Sequence, residues 1–401
     1  MLALQTSAML GALVVAKPAF AACTPDPTVA NATTNCTDTD SDGLTVNSAN
    51  SRVVVAQGAT VRPGNAPTAI LSRSTNASFD IRGLVDGGAG KAGLFVTTGP
   101  ATTVPCDPYA GTSPIYCIPG SSVTTYPSGN ATIAVMAGGA LTGAQGLLIR
   151  RDASSANGFV NVSLDNGGTI TGTAGPAIVA DQMGQGAIGI TNRTTGLIGG
   201  IAGRLSYITN SGTVDGSSNA AIATTLQGLS VTNTGRIVSS GPAATLSGPG
   251  GLSINNAANG VIGGRATAIQ TSGALWLTNL GTINGSVVST AGSGQGSTID
   301  ARGGIINGDL LLGAGDDNLR ARYDVATGRV SSISGRIDGG GGIDTITLGV
   351  DASATFRQLV LPTNFERLGL DLSNNAVVTL ASGFTTDTAL QIGGGGRNGR
   401  Q

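Results

Sequence analysis

The sequence predicts an all-β fold, a right-handed parallel β-helix solenoid with three short strands per turn. The first observation behind this prediction is an internal repeat with a period of 23 residues. The segments ITNSGTVDG (208–216), VTNTGRIVS (231–239) and LTNLGTING (277–285) place an apolar residue, Thr, Asn and Gly in the same order, and INNAANGVIGG (254–264) does so with two extra residues. A fixed period of this length is typical of solenoids.

The second observation is the alternation within each repeat. In runs such as Leu229-Ser230-Val231 and Leu275-Trp276-Leu277, every second residue is aliphatic. Gly, Asn and Ser residues separate one run from the next. This pattern indicates short strands joined by turns, and such a short unit cannot hold a pair of helices. Stacked units would pair each strand with its copy in the next turn, in parallel ladders. Because β–crossover–β connections are nearly always right-handed, we expect a right-handed coil. About 13 turns would form a rod of about 60 Å or more.

An asparagine column runs through the repeats. Its members are Asn210, Asn233, Asn256 and Asn279, and each lies 23 residues after the last. Asn tolerates the left-handed backbone of a tight corner, and stacked amides can hydrogen-bond along a stack. We therefore predict a structural Asn ladder at a corner. A row of ligand-binding amides is the alternative.

Composition restricts the function. The 401 residues include 65 Gly and no His, with 11% charged residues, 3% aromatic residues and a net charge of −1. This charge gives no electrostatic attraction to nucleic acid, so we expect no nucleic-acid partner. Without His, a Ser-His-Asp triad cannot form in its usual arrangement. We expect no cofactor.

Residues 1–22 are predicted to be a secretory signal peptide. They contain an apolar segment followed by Ala19-Phe20-Ala21, a small-x-small cleavage site that places removal after Ala21 or Ala22. The usual positively charged start is missing, so we expect the true start to lie upstream. Cys23 directly after this site leaves a lipoprotein signal as the alternative.

The four cysteines form two close pairs. In an exported chain, an even number at short spacing predicts local disulfides, here Cys23–Cys36 and Cys106–Cys117. Because neither pair has a second pair or a His nearby, a zinc site is disfavoured.

The remaining chain divides into three predicted regions. They are an N-terminal cap with irregular turns and a disulfide loop (23–130), regular turns (131–310), and C-terminal turns with a Gly-rich tail (311–401). The segment Thr97–Asn130 is predicted to be an insertion at one corner. Loops on rigid scaffolds often bind ligands, so we take Tyr109 and Tyr116 within it as contact candidates, with a merely stapled loop as the alternative.

Trp276, the only Trp of the chain, is a third contact candidate. The alternation places it in one outward column with Tyr207, Ser230 and Ser253. An exposed Trp can stack on a ligand. Packing against a neighbouring segment is the alternative.

Two Gly-Asp motifs lie near the C-terminus, LGAGDDNL (312–319) and GGGGIDTIT (339–347). The second fits the nonapeptide of calcium-binding β-rolls, with Asp316, Asp317 and Asp344 as candidate donors. Calcium rolls need such nonapeptides in immediate succession, whereas these two are separated in sequence. We therefore expect isolated turns that share no ion and do not require calcium.

The tandem Asn-x-Gly rungs, the pair LLLGAGDDNL…GRIDGGGGIDTITL and FERLGLDLSNNAVVTLASGF (365–384) together resemble an autotransporter passenger domain over about residues 44–390. These are type V secreted proteins of Gram-negative bacteria. The resemblance implies passage through the periplasm to the outer-membrane surface, or secretion, by an outer-membrane translocator barrel supplied in cis or in trans.

Passengers of this shape serve as adhesins, proteases, esterases or inert stalks. The expected function is therefore adhesion or structural display, with a ligand on a host, neighbouring-cell or matrix surface. The alternative is a polysaccharide-active lyase or hydrolase that uses Asp and Arg, for example Arg150, Arg151 and Asp152. The low aromatic content disfavours this alternative, because sugar sites are normally flanked by aromatic platforms.

Overall fold

The structure is a computed structural model that describes residues 22–105, 122–125, 128–155, 157–358, 362–385 and 389–393. Within these residues it is all-β and contains no helix, and its parallel coils stack into a solenoid of about 14 turns. The predicted fold class is confirmed. All of the predicted signal peptide except Ala22 lies outside the described residues, as do Cys106, Tyr109, Tyr116 and Cys117.

Each regular turn contributes strands to three columns, as predicted. The first column forms a sheet of its own, with 17 strands. Its parallel strands are Thr33–Cys36, Arg52–Val55, Ala77–Ile81, Gly129–Val135, Val160–Asn166, Ile188–Asn192, Leu205–Asn210, Leu229–Asn233, Leu252–Asn256, Leu275–Asn279, Thr298–Asp300, Asn318–Asp324, Thr345–Val350, Arg367–Leu372 and Ala389–Gly393. Two short strands, Cys23–Thr24 and Arg329–Val330, add to it in antiparallel orientation.

The second and third columns together form a sheet of 21 strands. The second column contains Thr39–Asp40, Thr60–Val61, Leu84–Asp86, Ala140–Thr142, Thr169–Ile170, Leu197–Ile198, Thr213–Asp215, Arg236–Val238 and Ile305–Asn307. The third contains Leu44–Val46, Thr68–Ser72, Ala92–Val96, Leu147–Ile149, Ile178–Ala180, Ile201–Gly203, Ile222–Thr224, Leu246–Gly248, Leu310–Leu311 and Ile337–Asp338. Two long strands pass through both columns, Val261–Thr271 and Thr282–Ser289.

The core is the interior of the coil. In most strands of the coil alternate residues point inward, and apolar residues stack on their register partners one turn away. Leu229, Leu252 and Leu275 form one such stack, and all three are fully buried. The 23-residue period therefore reflects one turn of the coil, with the apolar residues of successive turns forming a continuous core.

The predicted insertion leaves the coil intact. Strand Ala77–Ile81 pairs directly with Gly129–Val135, and Ala92–Val96 pairs directly with Leu147–Ile149. The predicted bounds Thr97–Asn130 were too wide at the C-terminal end, because Gly129 and Asn130 belong to the first-column strand Gly129–Val135. Within the insertion, strand Thr102–Pro105 pairs in antiparallel orientation with Ser122–Thr125. We call residues 102–125 the arm. The solenoid therefore continues beneath a two-stranded arm.

The two ends of the coil carry additional structure. At the N-terminus, Cys23 and Cys36 form a disulfide with an S–S distance of 2.03 Å, which joins the first two strands. Near the C-terminus, strand Ala354–Gln358 pairs with Val378–Thr385 in a separate two-stranded sheet. There the Tyr323 and Phe356 rings meet edge to face, with centroids 5.4 Å apart.

Candidate functional site

The asparagine ladder lies inside the coil, at the ends of first-column strands. Successive amides donate from Nδ2 to the next Oδ1: 2.8 Å from Asn210 to Asn233, 2.8 Å from Asn233 to Asn256, and 2.8 Å from Asn256 to Asn279. All four side chains are fully buried. They cannot reach an external ligand, so their role is structural.

Each ladder amide also closes the corner between the first and second columns. The second Nδ2 hydrogen of Asn256 reaches the carbonyl oxygen of Gly260 at 3.1 Å, four residues along the chain. A Cβ on Gly260 would lie 2.2 Å from the Asn256 Oδ1 atom. Gly260 is thus required because the Asn256 amide occupies the space of a side chain. At Gly235 and Gly281 a backbone carbonyl oxygen of the preceding turn, at 2.2 Å from the added Cβ in both cases, excludes a side chain instead.

Two details of the ladder differ from the prediction. None of its members is among the described residues with a positive φ, so the expected left-handed corner was wrong there. The ladder also extends two turns further towards the N-terminus, through Asn166 and Asn192. Asn166 Nδ2 donates to Asn192 Oδ1 at 2.8 Å, and Asn192 Nδ2 donates to Asn210 Oδ1 at 2.7 Å. It begins at Asn166 because the preceding turn places Val135 at the equivalent position.

Left-handed asparagines do stack, but at another corner. Asn31, Asn50 and Asn76 have φ angles of 58°, 52° and 66°. Their side chains form a second ladder, with Nδ2–Oδ1 distances of 3.0 Å from Asn50 to Asn31, 3.3 Å from Asn76 to Asn50 and 3.3 Å from Asn130 to Asn76. Sequence reasoning missed this ladder because the turns there have unequal lengths.

The two Gly-Asp motifs stack on adjacent turns, so the expectation that they are isolated was wrong. The Asp317 amide donates to Oδ1 of Asp344 at 2.7 Å, and the Ile343 amide donates to Oδ1 of Asp316 at 2.8 Å. The Asp344 amide in turn donates to Oε2 of Glu366 at 2.8 Å. A turn of 27 residues brings the motifs into register. Asp344 and Glu366 therefore each cap a backbone N–H of the preceding turn, and Asp316 caps one of the following turn.

These carboxyl groups sit in a strongly desolvating environment. Burial raises the pKa of Asp344 to about 6, and the neighbouring Asp317 and Glu366 charges add to the shift. Burial also raises the pKa of Asp317. The Oδ2 atoms of both Asp residues are buried without a hydrogen-bond partner. Among the described residues, no group of three or more His, Cys, Asp or Glu side chains could hold a metal ion.

Two of the residues suggested for polysaccharide chemistry, Arg150 and Asp152, are engaged with partners. Arg150 makes two hydrogen bonds of 2.7 Å to Asp181, while Ser154 donates to Asp152 and lowers its pKa. A general acid needs a raised pKa within reach of the substrate. Asp344 has the raised pKa, but its side chain is enclosed in the coil wall. The arrangement therefore suits scaffold roles for these acids.

Trp276 lies on the outside of the first column, as the alternation indicated. Its side chain is 50% exposed, and Tyr207 in the same register column is 45% exposed. We call this column of register partners on successive first-column strands the outer strip. Its members are Ser78, Thr132, Ser163, Gly189, Tyr207, Ser230, Ser253 and Trp276. It is an accessible surface on which ligand contact is geometrically feasible.

Comparison with known proteins finds no relative of this chain. None of the family models, curated proteins and solved structures compared with the chain matches it. In the part of the chain that the structure describes, no helix has the length and apolarity needed to cross a membrane.

Proposed function

We propose that this chain is an exported cell-surface passenger of the autotransporter type, which acts by adhesion or structural display. Its ligand would lie on a host, neighbouring-cell or matrix surface. The observation that carries the proposal is the uninterrupted pairing of Ala77–Ile81 with Gly129–Val135 beneath the arm. A coil that does not need the arm for its own strand pairing is suited to presenting it.

The base of the arm is anchored to the coil, which supports a display role. Thr98 is fully buried, and its Oγ1 accepts a hydrogen bond of 2.9 Å from the Asp152 amide. The Ser155 hydroxyl donates to the Gly99 carbonyl oxygen at 2.8 Å. These contacts fix where the chain leaves the coil. Binding residues are commonly carried on loops that a rigid scaffold positions in this way.

The motifs that resemble autotransporter passengers support the route of export. The signal-like N-terminal segment would direct the chain to the periplasm, and an outer-membrane translocator in cis or in trans would carry it to the surface. The solenoid of about 14 turns is consistent with a passenger stalk. Weak contacts repeated over many copies on one cell would gain avidity.

The test is to replace residues 102–125 with a short Gly-Ser linker and to keep Thr97, Thr98 and Gly99. Beads coated with this variant should attach to cells or matrix less than wild-type beads, while the β-sheet circular dichroism is unchanged. A variant with Ala326→Gly and Thr327→Ser, in an exposed turn elsewhere, is the matched control and should attach normally.

Two outcomes would contradict the proposal. Attachment at the full wild-type level after removal of the arm, with an intact fold, would show that the arm is not a contact element. New reducing ends released from acidic polysaccharides by the purified protein would instead favour a polysaccharide-active enzyme.

A further inference from the structure

The outer strip carries its two aromatic residues three turns apart. Tyr207 aligns with Ser230, Ser230 with Ser253, and Ser253 with Trp276. With about 4.8 Å between neighbouring strands, the two rings are about 14 Å apart along the coil axis. A short oligomer lying parallel to that axis could contact both.

Each ring lies over a glycine of the preceding turn. A Cβ on Gly189 would be 2.2 Å from Cε1 of Tyr207, and a Cβ on Gly251 would be 2.8 Å from Cζ3 of Trp276. The missing side chains leave room for the rings to lie across the backbone. With about half of each side chain exposed, at 45% and 50%, the rings remain open to solvent. They form platforms on the coil rather than parts of its core.

A shallow trough lies beside Tyr207 on the N-terminal side. It has a volume of about 560 Å³ and is lined by small residues on five successive first-column strands, with Tyr207 at one end. Besides Tyr207, its polar lining consists of Asn and hydroxyl side chains from Asn76, Ser78, Asn130, Thr132, Asn161, Ser163 and Ser206. Amides and hydroxyls can donate and accept hydrogen bonds and carry no charge.

The surface between the two rings is also uncharged. The outward neighbours of the strip in these turns are Thr209, Thr232, Asn255 and Thr278. A ligand that fits must offer flat apolar faces to the rings and many neutral hydrogen-bonding groups to the residues between them. Sugar rings combine a C–H face with a rim of hydroxyl groups. Acidic sugars would find no counter-charge between the two rings. Arg52, in register with Ser78 at the far end of the trough, is paired with Asp80 at 3.2 Å.

We propose that the outer strip binds a neutral, linear carbohydrate chain along the coil axis. Sugar rings stack on Tyr207 and Trp276, and the chain continues into the trough. The inference deepens the proposed adhesive function and rests on it, because it names the chemical class of a surface ligand that the coil would bind in addition to the contact made by the arm. It requires no bond to be made or broken.

The chain supplies its own probe, because Trp276 is the only Trp among the 401 residues. Cellohexaose and chitohexaose should change the intrinsic fluorescence of the wild-type protein saturably, whereas hexagalacturonate should not. Tyr207→Ala should weaken this binding about three- to tenfold, the range expected for loss of one aromatic stack. Trp276→Ala, followed by calorimetry because the probe is lost, should weaken it similarly.

Ile305→Ala is the matched control, because Ile305 is 44% exposed but lies on the second column. It should bind as the wild type does, and circular dichroism should show that all variants are folded. The inference is overturned if neither neutral oligosaccharide binds, if only the acidic one binds, or if both aromatic variants retain wild-type affinity.

The cell-attachment assay separates the two proposals. Arm-dependent attachment without binding of either neutral probe would leave the adhesive function standing and overturn the carbohydrate site. Binding of the neutral probes that is sensitive to Tyr207→Ala, without any cell or matrix attachment, would support the site and overturn the adhesive function.

Discussion

Replacing Asn256 by Ala should destabilise the coil strongly, because it interrupts the inner ladder. Asn256 accepts a 2.8 Å hydrogen bond from Asn233 and donates to Asn279 at 2.8 Å, Gly260 at 3.1 Å and Thr282 at 3.4 Å. Alanine removes all of these hydrogen bonds. Leaving one or two buried polar groups unpaired costs about 1–3 kcal/mol each, so the free energy of unfolding should fall by about 2–4 kcal/mol.

The neighbouring residue provides the control. Asn255 has the same side chain but points outward and is exposed, so Asn255→Ala should change the free energy of unfolding by no more than about 0.5 kcal/mol. Denaturant titrations followed by circular dichroism compare the two variants. Amide hydrogen exchange around residues 233–282 would report local opening, since solenoid turns do not always unfold together. Equal losses in the two variants, or no loss for Asn256→Ala, would refute the structural role of the ladder.

Further predictions concern charge, glycine and the disulfide. Burial raises the pKa of Asp344 from 3.8 to about 6, so the folded state binds the carboxyl proton more tightly than the unfolded state does. The stability that the protonated carboxyl contributes is fully present below pH 3.8 and is lost as the pH rises through about 6. Asp344→Asn should therefore be more stabilising, relative to wild type, at pH 7 than at pH 4.5, by about 2 kcal/mol. An equal difference at both pH values in denaturant titrations would contradict this. Gly281→Ala should lower the melting temperature, because its Cβ would lie 2.2 Å from the Gly260 carbonyl oxygen, whereas Gly292→Ala has nothing within 4 Å and should not. The double variant Cys23→Ser, Cys36→Ser should lower the free energy of local opening in the first turn by about 2–3 kcal/mol, as measured by amide hydrogen exchange. Unchanged protection of that turn would show that the disulfide does not stabilise it. A calcium chelator should leave the melting temperature unchanged, and a fall of several degrees would show that calcium binds.

The sequence predicted the coil where its turns have equal length. Between Asn210 and Asn279 every ladder step is 23 residues, so the fold class, the columns and the outward position of Trp276 could all be read from the spacing. The preceding ladder steps are 26 and 18 residues because corner lengths change while the strands persist. A fixed period therefore could not find Asn166 and Asn192.

The errors at the C-terminus have the same origin. The Gly-Asp motifs appeared isolated because they do not follow one another directly in the chain, but a 27-residue turn places them in contact. Sequence adjacency is a poor guide to contact in a coil, where neighbours are separated by one turn of any length. The trough beside Tyr207 depends on the register of several such unequal turns, so it could not be predicted from the alternation alone.

Hydrogen exchange across the whole coil tests the central claim most directly, namely that the chain is a parallel solenoid built on an inner amide ladder. Between residues 205 and 282, protected amides should fall in short strand segments that recur every 23 residues, with protection in the last first-column residues Asn210, Asn233, Asn256 and Asn279. Exchange of the intervening exposed corners should be fast. Strand Val261–Thr271 runs through two columns and should be protected as one longer segment. Continuous protection over longer segments elsewhere, or protection without this period, would contradict the solenoid.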